Sequence, residues 1–148
     1  EASGKLVTVV RENAKKIALD KKKDLILIDG PPGIGCPVIS AITGVCLVLI
    51  VTEPTVSGIK DMERILDVAN HFKIPSLVCI NKYDLNLNNT KKIEEYCENK
   101  DVKVVGKLPY DTNITKALIE EKNIIEYDSD LYISKKIVEM YEKIKKKI

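Results

Sequence analysis

Asp29 closes the apolar run Leu25-Ile26-Leu27-Ile28 and is followed at once by Gly30-Pro31-Pro32-Gly33-Ile34-Gly35. A carboxylate there suits a divalent cation. The glycines let backbone approach a phosphate, and the prolines remove donors and stiffen the loop. An apolar run bounded by turn residues predicts a strand buried on both faces, as in a parallel sheet. An acid at the carboxyl end of such a strand faces the crevice where open α/β sheets bind ligands. The same residues also describe an ordinary strand ending in a tight turn. Two further polar turns follow apolar runs, Asn81-Lys82-Tyr83-Asp84 and Pro109-Tyr110-Asp111. Parallel strands present their carboxyl ends on one edge, so the three turns are expected to share a crevice and favour a ligand site.

The elements that must position these turns are legible in the spacing. Leu6, Val9, Val10, Ala14, Ile17 and Ala18 predict a helix to about Lys22. Pro37 to Ile42 predicts a short helical turn closed by Gly44, and Cys46 to Thr52 a second strand. Thr55 or Ser57 is placed to cap a helix from about Gly58 to Phe72. Strands are expected over Ser76–Ile80 and Val102–Leu108. A helix capped by Thr90 is expected over 90–99, another over 112–121 and a last one over 130–147. Short strands alternating with amphipathic helices predict an α/β fold, a three-layer sandwich with a mostly parallel sheet. All 148 residues are read as one domain.

Charge and composition narrow the function classes. A net charge of +2 with scattered lysines gives no case for nucleic acid. No apolar span approaches membrane length. The last helix carries Ile133, Ile137, Tyr141, Ile144 and Ile148 on one stripe. Glu139 and Glu142 interrupt its basic face, which favours docking on the sheet over membrane binding. His71 is expected on a helix surface near Phe72. The four cysteines form no CxxC pair. Cys46 and Cys79 lie in apolar runs and are expected as buried, reduced thiols, with the cytoplasm as the default compartment. Asn88-Asn89-Thr90 and Asn113-Ile114-Thr115 match the glycosylation pattern incidentally. Ser3-Gly4-Lys5 is not a phosphate loop, because Leu6 stands where Ser or Thr would bind Mg²⁺.

The segments DLILIDGPPGIGCPV, LIVTEPTVSGIKDMERILDVANHF, INKYDLN and LPYD, in this order, resemble the carboxy-terminal half of the MinD/ParA-like P-loop ATPases. That superfamily includes the nitrogenase iron protein and the ATPases that scaffold iron–sulfur clusters. The resemblance extends to the MinD-type ATPases with an inserted ferredoxin-type 4Fe–4S domain. It implies a partial P-loop NTPase fold of the SIMIBI type. By resemblance, Asp29 holds Mg²⁺ through water beside the attacking water, as the catalytic acid. Gly30, Pro31, Pro32 and Gly33 form the switch loop that senses the γ-phosphate, and Asn81 pairs with the adenine edge. Pro109, Tyr110 and Asp111 close over the base.

The family's glycine-rich phosphate loop and ferredoxin cysteines are not in these residues. The chain therefore reads as a portion starting just after the ferredoxin domain, and on its own it is expected neither to bind ATP tightly nor to hydrolyse it. ATP with Mg²⁺, a homodimer and an electron-transfer or iron–sulfur partner are implied for the intact protein. Cys36, seven residues after Asp29, stands where the nitrogenase iron protein places a cluster ligand. A loop-facing or structural thiol is the favoured alternative. Asn81 to Asp84 also matches the NKxD guanine signature, with Asp84 as base reader, which leaves a GTP-binding switch protein open. A non-enzymatic partner-binding module is the third reading.

Overall fold

The computed structural model describes the backbone of residues 2–148 and the side chains of 4–148. The side chain of Ser3 lies outside the described residues, and Gly4 and Lys5 are helical. The elements run α1 (Ala2–Asp20), α2 (Cys36–Ile42), β1 (Val48–Thr52), α3 (Val56–His71), β2 (Ser76–Asn81), a single 3₁₀ turn (Tyr83–Leu85), α4 (Leu87–Asn99), β3 (Lys103–Leu108), α5 (Asn113–Ile119), α6 (Ile124–Tyr127) and α7 (Tyr132–Lys145). The sheet has the order β1-β2-β3 and both ladders are parallel. The predicted α/β class with a parallel sheet is correct.

One face of the sheet is covered by α3 and α4. Val48, Ile50, Val78 and Ile80 pack there against Met62 and Leu66 of α3 and against Ile93 and Cys97 of α4. Each such side chain contributes about 1.5–3 kcal/mol on leaving water. A register shift between Val78 and Cys79 pairs Val78 with Val104 and Cys79 with Gly106. Paired residues of a parallel ladder share a face, so Cys79 and Gly106 lie opposite Val78. There α7 closes on β3: a Cβ at Gly106 would stand 2.7 Å from Met140 Sδ. The last helix is therefore docked on the sheet. A second apolar cluster of Ala117, Ile124 and Ile133 joins α5, α6 and α7.

The cover on this second face stops at β2. Val51 lies beside Cys79 in the ladder, yet it is 59% exposed while Cys79 is fully buried. Helix α1 packs on α2, where Arg11 Nη1 donates to the carbonyls of Ser40 and Thr43, both at 2.6 Å. Leu6, Val9, Val10 and Ile17 of α1 stay exposed.

The expected strand at 25–28 is not formed. These residues carry no ladder, and Leu27 is 90% exposed. A strand needs a neighbour for its backbone groups, and β1 bonds only to β2 among the described residues. Two smaller expectations also change. Asn86 caps α4, accepting from Asn89 N at 3.0 Å. Thr90 is instead buried inside that helix and donates to Tyr83 O at 2.6 Å. Helix α6, with an Asn123–Glu126 capping box, was not foreseen.

Candidate functional site

The carboxyl ends of the strands are drawn together by side chains of the turns that follow them. At the end of β2, Lys82 takes the left-handed conformation at φ 51°, which turns the chain sharply into the 3₁₀ turn. That geometry costs a side-chain-bearing residue about 1–2 kcal/mol. Lys82 Nζ reaches across to Glu53 Oε1 at 2.7 Å, just past the end of β1. Asn89 at the start of α4 donates from Nδ2 to Pro54 O at 3.1 Å. Asp84 Oδ1 accepts the backbone N–H of Tyr110 at 2.7 Å, which ties the β2 turn to the turn after β3. Within that turn, Asp111 Oδ1 accepts from Asn113 N at 2.8 Å and starts α5. The three strand ends therefore form one connected hub.

The pairing of Glu53 with Lys82 was not foreseen from sequence, where Lys82 was read only within the tetrapeptide Asn81 to Asp84. They lie 29 residues apart on different elements, and no spacing rule couples them. Tyr83 was read only as part of the tetrapeptide. It sits under Lys107 Nζ, 5.6 Å from its ring centroid, and Lys107 also pairs with Glu94 at 2.8 Å. The sequence-predicted Asn81, Asp84, Pro109, Tyr110 and Asp111 are brought to this hub. Asn81 is half-buried at the last position of β2, and its side chain makes no hydrogen bond among the described residues.

Asp29 and its loop stand apart. Among the described residues, no hydrogen bond or ion pair joins 24–34 to the hub, and Asp29, Gly30, Pro32 and Gly33 are exposed. Gly33 has φ +88°, a backbone that excludes most other residues. A Cβ at Gly30 would meet nothing within 4 Å. Packing in this structure therefore does not require the glycine at 30.

The cysteines divide evenly. Cys36, at the start of α2, and Cys46 are exposed, and Cys79 and Cys97 are buried. Cys46 corrects the expectation: its apolar run reaches the sheet only at Val48, so the thiol lies on the approach to the strand. Burial pushes the thiols of Cys79 and Cys97 up to about 11, with the Glu94 carboxylate adding to the effect at Cys97. Among the described residues, no group of three or more His, Cys, Asp or Glu side chains is gathered to hold a metal. Among the same described residues, no helix is long and apolar enough to cross a membrane. His71 lies on the surface against Phe72, ring centroids 5.1 Å apart.

The family model described as ParA, NUBPL iron-transfer P-loop NTPase, matches residues 4–148. The chain belongs to this family. This ParA/NUBPL-type chain is 37% identical over 143 residues to an uncharacterised protein of Methanocaldococcus jannaschii, MJ0578, covering 97% of this chain and 46% of that protein. It resembles the cell division ATPase MinD of Pyrococcus furiosus at a TM-score of 0.74 and 26% identity, over 87% of this chain and 54% of that one. The MinD of Pyrococcus horikoshii, solved with Mg-ADP, gives a TM-score of 0.74 at 23% identity, over 87% of this chain and 53% of that one. The ParA/NUBPL-type chain thus spans about half the length of the relatives it matches. The fold is that of the MinD/ParA-like P-loop NTPases.

Proposed function

We propose that these residues form the base-binding part of an ATP-binding, MinD/ParA-like P-loop NTPase. The observation that carries this reading is the hub at the carboxyl ends of three parallel strands, built by the Asp84–Tyr110 and Lys82–Glu53 contacts. Ligands of open α/β sheets bind at that edge. Asn81 supplies an amide matched to the adenine edge, and Pro109 to Asp111 cover the base. Asp29 would hold Mg²⁺ through water, and Gly30 to Gly33 would follow the γ-phosphate. Bound Mg²⁺ supplies charge neutralisation for phosphoryl transfer.

Residues 1–148 hold no glycine-rich loop with a lysine, so the electrostatic core of triphosphate binding is supplied elsewhere in the whole protein. ATPase activity, a homodimer and a cytoplasmic setting belong to that protein. So does a link to iron–sulfur chemistry, in which the exposed Cys36 is this chain's candidate ligand and the remaining ligands come from outside it. Calorimetry tests the reading in two arms. ATP with Mg²⁺ should bind the full-length protein in the micromolar range, and 1–148 should show no comparable heat. Micromolar binding to 1–148 alone would overturn the division of the site. Absence of binding to the full-length protein would leave the non-enzymatic module as the better reading.

A further inference from the structure

We propose that the open edge of β3 is a docking groove where a separate partner protein adds an extended, acid-bearing segment as a further strand. β3 bonds to β2 on one side, and among the described residues nothing pairs with its other side. Such an edge presents backbone donors and acceptors suited to strand addition. A groove of about 330 Å³ runs along it, with Val104 to Lys107 as its floor. One wall is Tyr83 and Glu94, on the face that α4 covers, and the other is Tyr132, Lys136 and Lys143 of α7. Side chains of an added strand alternate between the two faces, so they fall in turn against the Tyr83 and Tyr132 sides. β3 has six residues, and a segment of about five or six matches it.

The charges select the occupant. Lys107 is paired with Glu94 and Lys136 with Glu139, each at 2.8 Å. Lys143 meets no carboxylate among the described residues, and its Nζ donates to the Val105 carbonyl at 3.3 Å. Val105 is the extra residue of the register shift, since Val104 pairs with Val78 and Gly106 with Cys79. A bulge residue leaves its backbone groups to other partners. An incoming N–H takes that carbonyl, and the released ammonium meets an acid of the added segment. A second copy pairing edge to edge would bring another Lys143 against the first, which disfavours it. The apolar surface that calls for permanent cover lies at the far end of the sheet, at Val51 and along α1. The β3 groove is instead walled by charged and aromatic side chains, as in a reversible interface.

The test uses the full-length protein and blocked heptapeptides in which valine alternates with glutamate, glutamine or lysine. By calorimetry the glutamate peptide should bind, the glutamine peptide about tenfold more weakly and the lysine peptide more weakly still. Binding should slow those amides of Lys103–Leu108 that exchange rapidly in the free protein, and methylating alternate peptide nitrogens should abolish it. Lys143→Met should erase the preference for glutamate over glutamine, and the wild-type comparison decides the proposal even if that variant unfolds. No binding of the glutamate peptide, indifference to methylation or a preference for lysine overturns strand addition. Uniformly slow amides over Lys103–Leu108 in the free monomer would show that the protein's own chain fills the groove. The same protection arising only at high concentration would show a second copy, and either result overturns the separate partner. ATP binding is scored separately, so the nucleotide reading stands or falls without these outcomes.

Discussion

Lys82 Nζ and Glu53 Oε1 meet at 2.7 Å across the ends of β1 and β2, and Lys82 holds a left-handed backbone to do so. Ion pair and backbone conformation pull in opposite directions on stability. The pair is more than one-third exposed on both sides, so it contributes at most about 1 kcal/mol. Lys82→Ala loses the pair and keeps the unfavourable φ, whereas Lys82→Gly loses the pair and relieves the φ. Urea unfolding should place Lys82→Gly above Lys82→Ala by about 1 kcal/mol. Equal midpoints would show that the turn relaxes away from the left-handed region.

Gly58 lies where the start of α3 presses on the end of β1. An added Cβ would meet the Glu53 carbonyl oxygen, with Thr55 Oγ1 at 3.0 Å and Thr52 Oγ1 at 3.1 Å. Backbone cannot yield as a side chain can. Gly58→Ala should cost about 2–3 kcal/mol. Gly106→Ala meets only the flexible Met140 side chain, and should cost less than Gly58→Ala. Thermal unfolding of the two variants in parallel checks the order.

Thiol chemistry should count the exposed half of the cysteines. At pH 8, a maleimide should label Cys36 and Cys46 in the native protein and spare Cys79 and Cys97, which are buried and hold thiols up at about 11. Mass spectrometry after unfolding should find four labels. Rapid native labelling of Cys79 would mean that β2 opens far more readily than its burial allows.

The same two thiols set an alkaline limit. Their folded pKa of about 11 lies above the ordinary thiol value of 9.0, so between these values the folded state binds more protons than the unfolded one. Stability is then fully present below pH 9 and falls as pH rises toward 11, by at most about 1.4 kcal/mol per pH unit for each thiol. Urea midpoints at pH 8, 9, 10 and 10.5 should decline in that window. A flat profile would remove the thiols as the cause.

Much of this fold could be read from residue order because the signals were local. The apolar run ending at Thr52, the apolar spacing of Met62 and Leu66, and the Thr55 cap each act within a few residues. The 25–28 run misled because hydrophobicity says that a segment suits burial, whereas a ladder depends on a neighbour elsewhere. Cys46 failed for a related reason, since an apolar run does not mark where pairing begins. Helix α6 was in fact legible, because Asn123 and Glu126 stand at capping-box spacing. At the site, Asn81 to Asp84 and Pro109 to Asp111 were found by their place after apolar runs. Their bonding was not: whether Asp84 faces a ligand or the Tyr110 amide depends on a contact 26 residues away.

The unladdered stretch before and through Asp29 has a thermodynamic consequence. The hub is pre-organised, while residues 24–35 carry their glycines and apolar side chains into water. Drawing them into a strand and loop around any occupant fixes backbone at about 1–2 kcal/mol per residue. The two ends of the crevice would then leave different calorimetric signatures. Occupancy at the hub should cost little entropy. Engagement of the Asp29 end should bring a large negative heat-capacity change and an opposing entropy, as in folding coupled to binding.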